Sequence, residues 1–533
     1  MVNSSAKQTT PMMANVFFAL LMAGMSIYFI WWGLDYTLHQ QVGLFIVASF
    51  FGVFMAFNIG GNDVANSFGT SVGAGTLTVA QALAVAAIFE VSGAVLAGAA
   101  VTDTIRSGIV DISDLGVSPN QFIYLMLSAL IAAAFWLLFA TKKGLPVSTT
   151  HAIIGGIVGS SIVLGVNIGG AELAFSTVKW SKIGEIAASW VLSPILGGVF
   201  SYLLYGLIKR HILAYNEKVE KEVKDLKQEK KDLKRAERDY YEGLDDKQKL
   251  AHNNAMLHDQ EIYKDDIDAT YDDLQTSYFK ELYILEHKRG KIDTLKALQT
   301  WVPLIAALGA VIMTAMVVFK GLKNTGLNLS HLHAGLVMGM IGAMVWLTAF
   351  VYTKTIRGKH KKEDLGKATF IMFSWMQVFT ACAFAFSHGS NDIANAVGPF
   401  VAIMDVIKEN AIAAKATVPA PVMVTFGVSL IVGLWFIGKE VIQTVGTNLT
   451  QMHPASGFAA ELAAATVVMG ASSIGIPVSS THILVGAVLG IGVVNKNTNW
   501  KLMKPIGMAW VITLPAAAMI SAVSFTILMA VFH

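Results

Sequence analysis

Long apolar runs recur through most of this chain, and each is close to the length that crosses a lipid bilayer. Of the 533 residues, 54% are hydrophobic and only 14% are charged, which lies outside the usual range of soluble domains. A helix needs about 20 apolar residues to cross the ~30 Å hydrocarbon core. Such runs lie near residues 14–34, 43–60, 77–101, 120–141, 145–167, 184–208, 301–319, 334–353, 368–387, 391–404, 420–438, 457–475, 478–494 and 505–532. We therefore predict an all-α integral membrane protein with about 11–13 membrane spans.

The charged residues concentrate in one segment. Roughly half of all Asp, Glu, Lys and Arg lie between residues 209 and 298, where Val219 and Val223 belong to an apolar pattern with helical spacing. This pattern predicts a charged helical loop outside the membrane. The most basic short loop is 354–367, and positive loops favour the cytoplasmic side. We expect both segments to be cytoplasmic, in a multi-pass protein of a plasma or inner membrane.

Two polar strings each occur twice, in the same order. The first is Asn-Asp-x-x-Asn, which contains Asp63 and again Asp392, and the second is Pro-Val-Ser-[Ser/Thr]-Thr-His, which begins at Pro146 and Pro477. The strings are 83 positions apart from Asp63 to Pro146 and 85 positions apart from Asp392 to Pro477. Tryptophans ten residues apart extend the duplication, namely Trp180 with Trp190 and Trp500 with Trp510. Such duplication within apolar sequence predicts an alternating-access transporter built from two repeats.

The duplicated strings and the charge distribution divide the chain into five segments. We predict membrane repeats at 41–208 and 368–533, an extra N-terminal membrane helix at 1–40, and the charged cytoplasmic loop at 209–298. The residues between the loop and the second repeat, 299–367, are predicted to form linking membrane helices.

Four carboxylates lie within or beside the apolar spans, namely Asp63, Glu90, Asp392 and Glu461. An ionised carboxylate at membrane depth is unfavourable by several kcal/mol unless it is paired, solvated or protonated. Asp63 and Asp392 are flanked by Asn residues, and together with freed backbone carbonyls they offer hard oxygen ligands suited to Na⁺ or a proton. We expect the neighbouring pairs Gly60-Gly61 and Gly389-Ser390 to permit the helix break that frees those carbonyls.

The second string has the composition of a helix start. Pro followed by Ser and Thr supplies a first helical turn with hydroxyls that cap free N–H groups. The N-terminus of a helix attracts anions, so two such starts facing each other predict an oxyanion site. Neither string contains Lys or Arg, and an anion beside Asp63 and Asp392 would meet negative charge. This arrangement predicts obligate coupling to cations, at least one for each repeat. His151 and His482 end the strings, and either donation to the substrate or a hydrogen-bonded core position fits them.

Other function classes fit the sequence less well. The net charge of +3 and the absence of a basic stripe argue against nucleic-acid binding. No Walker string is present, which argues against ATP-driven transport. A channel would need a continuous polar path across the membrane, and the duplicated, interrupted helices fit poorly with such a path. A membrane hydrolase using Ser, His and Asp would need one nucleophile and one base, whereas the strings come as two equivalent copies.

The strings resemble those of the inorganic phosphate transporter (PiT) family. The matching segments are 61–70, 388–399 and the two Pro-Val-Ser strings, and the resemblance covers both membrane halves. It implies symport of inorganic phosphate, two inverted repeats with broken helices and re-entrant helical hairpins, and a site at the bilayer midplane. The proton-coupled branch tends to carry His where this chain has Asn62, so the resemblance favours the sodium-coupled branch. A proton- or metal-phosphate-coupled transporter of phosphate or a related oxyanion is the alternative.

The resemblance also implies roles for individual residues. It assigns phosphate binding to Asp63, Ser148, Thr149, Thr150, Asp392, Ser479, Ser480 and Thr481. It assigns sodium binding to Asn62, Asp63, Asn66, Asn391, Asp392 and Asn395. Glu90 and Glu461 match acids that the family needs for transport. We expect no cofactor, no enzymatic activity and no nucleic acid; the expected partners are phosphate, co-transported sodium and the lipid bilayer, and a homodimer is left open.

Overall fold

The chain folds into helices that are long enough to cross a membrane. The computed structural model describes residues 12–110, 116–265, 270–321, 329–359, 365–412, 418–448 and 451–532. Within these residues the regular structure is helical, apart from an isolated bridge between Val110 and Val178. Twelve helical segments of the described chain are long and apolar enough to span a bilayer. The predicted all-α fold and the expected number of spans are confirmed.

Twenty α-helices occur in the described residues. The first eight are α1 (Met12–Tyr36), α2 (Val42–Ile59), α3 (Ala65–Gly73), α4 (Val79–Ala97), α5 (Ala99–Ser107), α6 (Pro119–Lys142), α7 (Thr149–Gly169) and α8 (Trp180–Ile208). The next five are α9 (Ala214–Glu242), α10 (Asp246–Asp265), α11 (Ser277–Lys291), α12 (Lys296–Met316) and α13 (His331–Lys359). The last seven are α14 (Leu365–Asp392), α15 (Ala394–Glu409), α16 (Ala420–Ile437), α17 (Lys439–Gln443), α18 (Pro454–Ser473), α19 (Ser480–Asn495) and α20 (Trp500–Phe532).

These helices belong to two compact units. Unit 1 comprises Met1–Gly206, Leu308–Gly342 and Phe370–His533, and unit 2 comprises Leu207–Ala307 and Ala343–Thr369. Unit 1 contains both copies of each polar string. Unit 2 contains the charged helices α9, α10 and α11.

Within unit 2, a small apolar core fixes the end of α10 against the start of α11. Leu274, Phe279 and Leu282 are buried together. Asp259 accepts hydrogen bonds from the backbone N–H groups of Gln275 (2.8 Å) and Thr276 (2.7 Å), and from the Thr276 hydroxyl. Burial raises the pKa of the Asp259 carboxyl, but these hydrogen bonds outweigh it and hold the pKa below its usual value.

The first Asn-Asp-x-x-Asn string distorts its helix without unwinding it. Residues Gly60–Val64 form one turn of π-helix between α2 and α3, and π-helical turns often mark functional sites. In the second copy, α14 runs through Asp392, and only Ile393 separates it from α15. Each string therefore interrupts an α-helix, as the predicted broken helices require. The expected unwound segment is wrong, because the backbone stays helical on both sides of each aspartate.

The glycines instead permit two helices to touch. A Cβ added at Gly60 would lie 1.8 Å from the carbonyl oxygen of Leu430 in α16. A Cβ added at Gly389 would lie 2.1 Å from the carbonyl oxygen of Glu90 in α4. Each glycine lies three positions before the aspartate of its string. The aspartate-bearing helix of each half therefore crosses a helix of the other half at backbone contact.

Within unit 1, the N-terminal helix α1 packs against helices of the second half through aromatic side chains. The Phe29 ring lies 5.5 Å from the Phe400 ring and 5.8 Å from the Phe426 ring. Near the other end of α1, the indole N–H of Trp435 donates to Asn15 Oδ1 over 2.9 Å. The extra helix is thus attached to α15 and α16 of the second half.

Candidate functional site

The two aspartates of the duplicated strings meet in the interior of unit 1. One carboxylate oxygen of Asp63, one of Asp392 and one ring nitrogen of His388 all lie within 4.8 Å of one another. The side chains of Asp63 and Asp392 are almost completely buried. The sequence separates these aspartates by 329 positions, so the fold alone brings them together.

The second strings place two helix N-termini at the same point. The hydroxyls of Ser148 and Ser479 cap α7 and α19, since each accepts a hydrogen bond from a backbone N–H three residues later over 3.2 Å. The next hydroxyl in each string contacts a carboxylate: Thr149 donates to Asp63, and Ser480 donates to Asp392. The same contact therefore recurs in the two halves, as the duplication predicts.

The third hydroxyl of each string crosses to the other half. Thr481 donates to Asp63 Oδ1 over 3.1 Å, and Thr150 donates to the carbonyl oxygen of Val478 over 3.0 Å. Asn395 Nδ2 donates to the Thr150 hydroxyl over 3.3 Å. These contacts connect the two halves through buried polar groups.

The asparagines of the strings are fully buried and divide into two kinds. Asn62 and Asn391 contact the extended segments that precede α7 and α19. In the described part of the chain, the side-chain oxygens of Asn66 and Asn395 have no hydrogen-bond partner. A buried amide oxygen without a partner is uncommon and is a suitable ligand for a hard cation.

Glu90 is connected to the site by His388, a residue for which the sequence predicted no role. His388 Nδ1 lies 2.8 Å from Glu90 Oε2, and His388 Nε2 lies 2.6 Å from Asp392 Oδ2. All three side chains are buried. Residues four apart on a helix share a face, so the spacing of His388 and Asp392 could have indicated this contact.

Glu461 lies in a separate polar cluster formed with α3 and α14. Its Oε1 accepts hydrogen bonds from Thr70 (2.7 Å), from Ser71 and from Gln377 Nε2 (3.1 Å), and its Oε2 accepts one from Thr380 (2.9 Å). The carboxylate is fully buried. These neutral donors are far from Glu461 in sequence, and no local pattern identifies them as its partners.

His151 and His482 pack against each other rather than against the aspartates. Their ring centroids are 4.5 Å apart, and each ring lies on a tryptophan, His151 on Trp190 at 3.8 Å and His482 on Trp510 at 3.9 Å. The duplicated tryptophans thus lie beside the duplicated histidines. In the described residues, Nε2 of each histidine has no hydrogen-bond partner.

The site combines groups for an anion with groups for a cation. Helix N-termini and hydroxyls stabilise an oxyanion, whereas the carboxylates and amide oxygens suit a hard cation. Among the described contacts of Asp63 and Asp392, no Lys or Arg side chain occurs, and His388 is the one basic group. In their ionised form, the two buried carboxylates repel an anion that arrives without positive charge.

Comparison with known proteins identifies the family. The phosphate transporter family model matches residues 59–521, which include all four polar strings. The chain belongs to the phosphate transporter family. A Mycobacterium bovis protein, provisionally named a phosphate permease, is 56% identical over 97% of this chain and 93% of its own length. A Haemophilus influenzae protein with the same provisional name is 33% identical over 93% of this chain and 99% of its own length.

A solved structure also resembles this phosphate transporter. It is described as the sodium-dependent phosphate transporter, with a TM-score of 0.69, 30% identity, and coverage of 92% of this chain and 100% of its own. The predicted family is confirmed, and the chain is a membrane transporter of phosphate rather than an enzyme.

Proposed function

We propose that this phosphate transporter is a secondary active symporter driven by a sodium gradient. Phosphate and sodium ions occupy one site, shared by the two halves of unit 1, that opens alternately to either side of the membrane. The observation that carries the proposal is the convergence of Asp63 and Asp392 beneath the N-termini of α7 and α19. Negative side chains beside an anion site require cations to bind with the anion.

Particular atoms support the assignment of ligands. The hydroxyls of Thr149, Ser480 and Thr481 already contact the aspartates, so they lie where an anion and a cation would share neighbours. The side-chain oxygens of Asn66 and Asn395, which have no hydrogen-bond partner in the described part of the chain, add neutral ligands on the cation side. The name of the similar solved structure, the sodium-dependent phosphate transporter, favours sodium over other cations.

Uptake of labelled phosphate into proteoliposomes tests the proposal. We expect uptake to require an inward sodium gradient, and Asp63→Asn or Asp392→Asn to abolish it while the protein still inserts and stays monodisperse. Asp35→Asn is the matched control, because Asp35 is exposed on α1. Sodium-driven uptake retained in both site variants would remove the carboxylates from the mechanism. Uptake driven equally well by a proton gradient would support the proton-coupled alternative.

We further propose that residues 41–208 and 368–533 are repeats of inverted topology and that residues 209–298 face the cytoplasm. The recurrence of the Thr149–Asp63 contact as Ser480–Asp392 supports equivalent halves. Replacing Cys382 by Ser and introducing Lys224→Cys on α9 tests the orientation. A membrane-impermeant maleimide applied outside intact cells should leave this thiol unlabelled, and labelling of intact cells would reverse the assignment.

A further inference from the structure

We infer that the two asparagines of each Asn-Asp-x-x-Asn string do different work: the first positions a helical hairpin, and the second offers its oxygen to the cation. The hairpins are α6 with α7 and α18 with α19. This inference deepens the proposed function and rests on it for the cation. It reassigns Asn62 and Asn391, which the family resemblance places among the sodium ligands.

Both the carbonyl and the amino group of the Asn62 side chain form hydrogen bonds with the first hairpin. Its Oδ1 accepts a hydrogen bond from the backbone N–H of Val147 over 3.0 Å. Its Nδ2 donates to the carbonyl oxygen of Leu145 and to the hydroxyl of Thr141, each over 3.0 Å. A primary amide has two N–H donors, and both are engaged.

The extended segment needs such a partner. Residues 143–148 link α6 to α7, and 145–148 of this link have no regular secondary structure. Pro146 supplies no N–H. A backbone carbonyl or N–H that is buried at membrane depth must be satisfied within the protein. Asn62 pairs the groups on both sides of Pro146, as a neighbouring β-strand would. It thereby fixes the position at which Ser148 and Thr149 begin α7.

Asn391 makes a looser version of the same contact. Its Nδ2 donates to the carbonyl oxygen of Val478 over 2.8 Å and to Asp392 Oδ1 over 2.6 Å. Its Oδ1 lies 3.5 Å from the N–H of Val478 and 3.4 Å from the hydroxyl of Ser472. The first asparagine therefore holds the segment before the hairpin helix in both halves, and more tightly in the first.

The second asparagine of each string is different. Among the described residues, Asn66 Oδ1 and Asn395 Oδ1 are buried without a hydrogen-bond partner, whereas the side-chain oxygens of Asn62 and Asn391 are occupied. An amide oxygen has two lone pairs, and one that already accepts a hydrogen bond has less capacity left for a sodium ion. The oxygens of Asn66 and Asn395, which have no partner among the described residues, are therefore the better candidates for sodium ligands. The same residue type at two positions of one string thus has two roles, which follow from what each amide contacts.

Thiol labelling in buffer without sodium and phosphate separates the two roles. In a Cys382→Ser background, Val147→Cys places a probe in the extended segment, where Val147 is fully buried. We expect Asn62→Ala to accelerate maleimide labelling of this thiol about 10-fold, since it removes hydrogen bonds that hold the segment. Asn66→Ala should leave the labelling rate unchanged. The matched control is Asn58→Ala, because Asn58 is a buried asparagine whose Nδ2 donates within its own helix, and its Oδ1, like that of Asn66, has no partner among the described residues.

If Asn62→Ala fails to fold, the Asn62→Asp variant provides an independent test of the two roles. Asn62→Asp retains the acceptor for Val147 but lacks the donors to Leu145 and Thr141. If Asn62 anchors the hairpin, the Asn62→Asp variant should be labelled faster than the parent, and its half-saturating sodium concentration for uptake should not be lower. If Asn62 is a sodium ligand, the variant should be labelled at the parent rate and bind sodium more tightly. That result would overturn the inference. Equal acceleration by Asn66→Ala would overturn it as well.

The labelling experiment requires neither sodium nor phosphate, so its result does not depend on which ion drives transport. If the transporter proves to be proton-coupled, the sodium proposal fails, and faster labelling of Asn62 variants still supports the anchor. If uptake is sodium-driven and labelling is unchanged, the anchor fails alone.

Discussion

Replacing Gly60 by Ala should damage both the stability and the transport of this protein, because Gly60 lies where two helices touch. The new Cβ would lie 1.8 Å from the Leu430 carbonyl oxygen and 2.6 Å from its carbonyl carbon, and neither backbone atom can rotate away. A carbon and a carbonyl oxygen normally stay about 3.3–3.6 Å apart, so α2 and α16 must separate by roughly 1.5 Å. Overpacking of this kind costs about 1–3 kcal/mol.

The same displacement should reach the site. Asp63 is three residues after Gly60 on the same helical segment, and an error of about 1 Å in a reacting or binding group can lower a rate about 100-fold. Thermal unfolding of the purified protein and initial rates of phosphate uptake measure the two effects. Gly43→Ala is the control, since a Cβ at that α2 glycine meets nothing within 4 Å. Equal unfolding temperatures and uptake rates for the two variants would refute the reasoning.

Three further outcomes are expected. Ser148→Ala combined with Ser479→Ala should lower stability by about 1 kcal/mol per helix cap and raise the phosphate concentration for half-maximal uptake. If that concentration is unchanged, both hydroxyls cap helices and do not bind phosphate. His388→Ala should leave two buried carboxylates without their partner and cost about 3–5 kcal/mol, and an unfolding temperature equal to that of the parent would contradict this. Asp259→Asn should increase hydrogen exchange at the start of α11 at pH 7. The pKa of Asp259 is lower in the folded protein than in the unfolded chain, where it is about 3.9. The Asp259 carboxylate therefore stabilises the folded protein fully at a pH above the unfolded pKa, and this stabilisation is lost as the pH falls through the folded pKa. The difference between Asp259→Asn and the parent should therefore disappear on acidification, and a constant difference would exclude the charge as its cause.

The sequence predicted the parts of the fold that depend on composition and repetition. Apolar run lengths indicated the helical membrane fold, since spanning a bilayer by helices requires such runs. Duplication pointed to the same site because equivalent positions in two halves tend to meet at their interface. Asp63 and Asp392 meet as this reasoning predicts.

Other features depend on contacts between distant segments, which sequence patterns do not specify. Gly60 looks like a helix breaker, yet its role depends on Leu430, which is 370 positions away. The donors around Glu461 come from two helices, α3 and α14. The string Asn-Asp-x-x-Asn suggests one role for both amides, whereas the fold gives only the first an extended segment to hold.

Equilibrium binding of labelled phosphate to the purified protein tests the central claim most directly. Binding is measured at fixed pH with and without sodium, while proton uptake is followed in the same sample. We expect no saturable binding without sodium, because the carboxylates of Asp63 and Asp392 repel an unaccompanied anion. Full occupancy in sodium-free medium, with no proton taken up, would contradict the account.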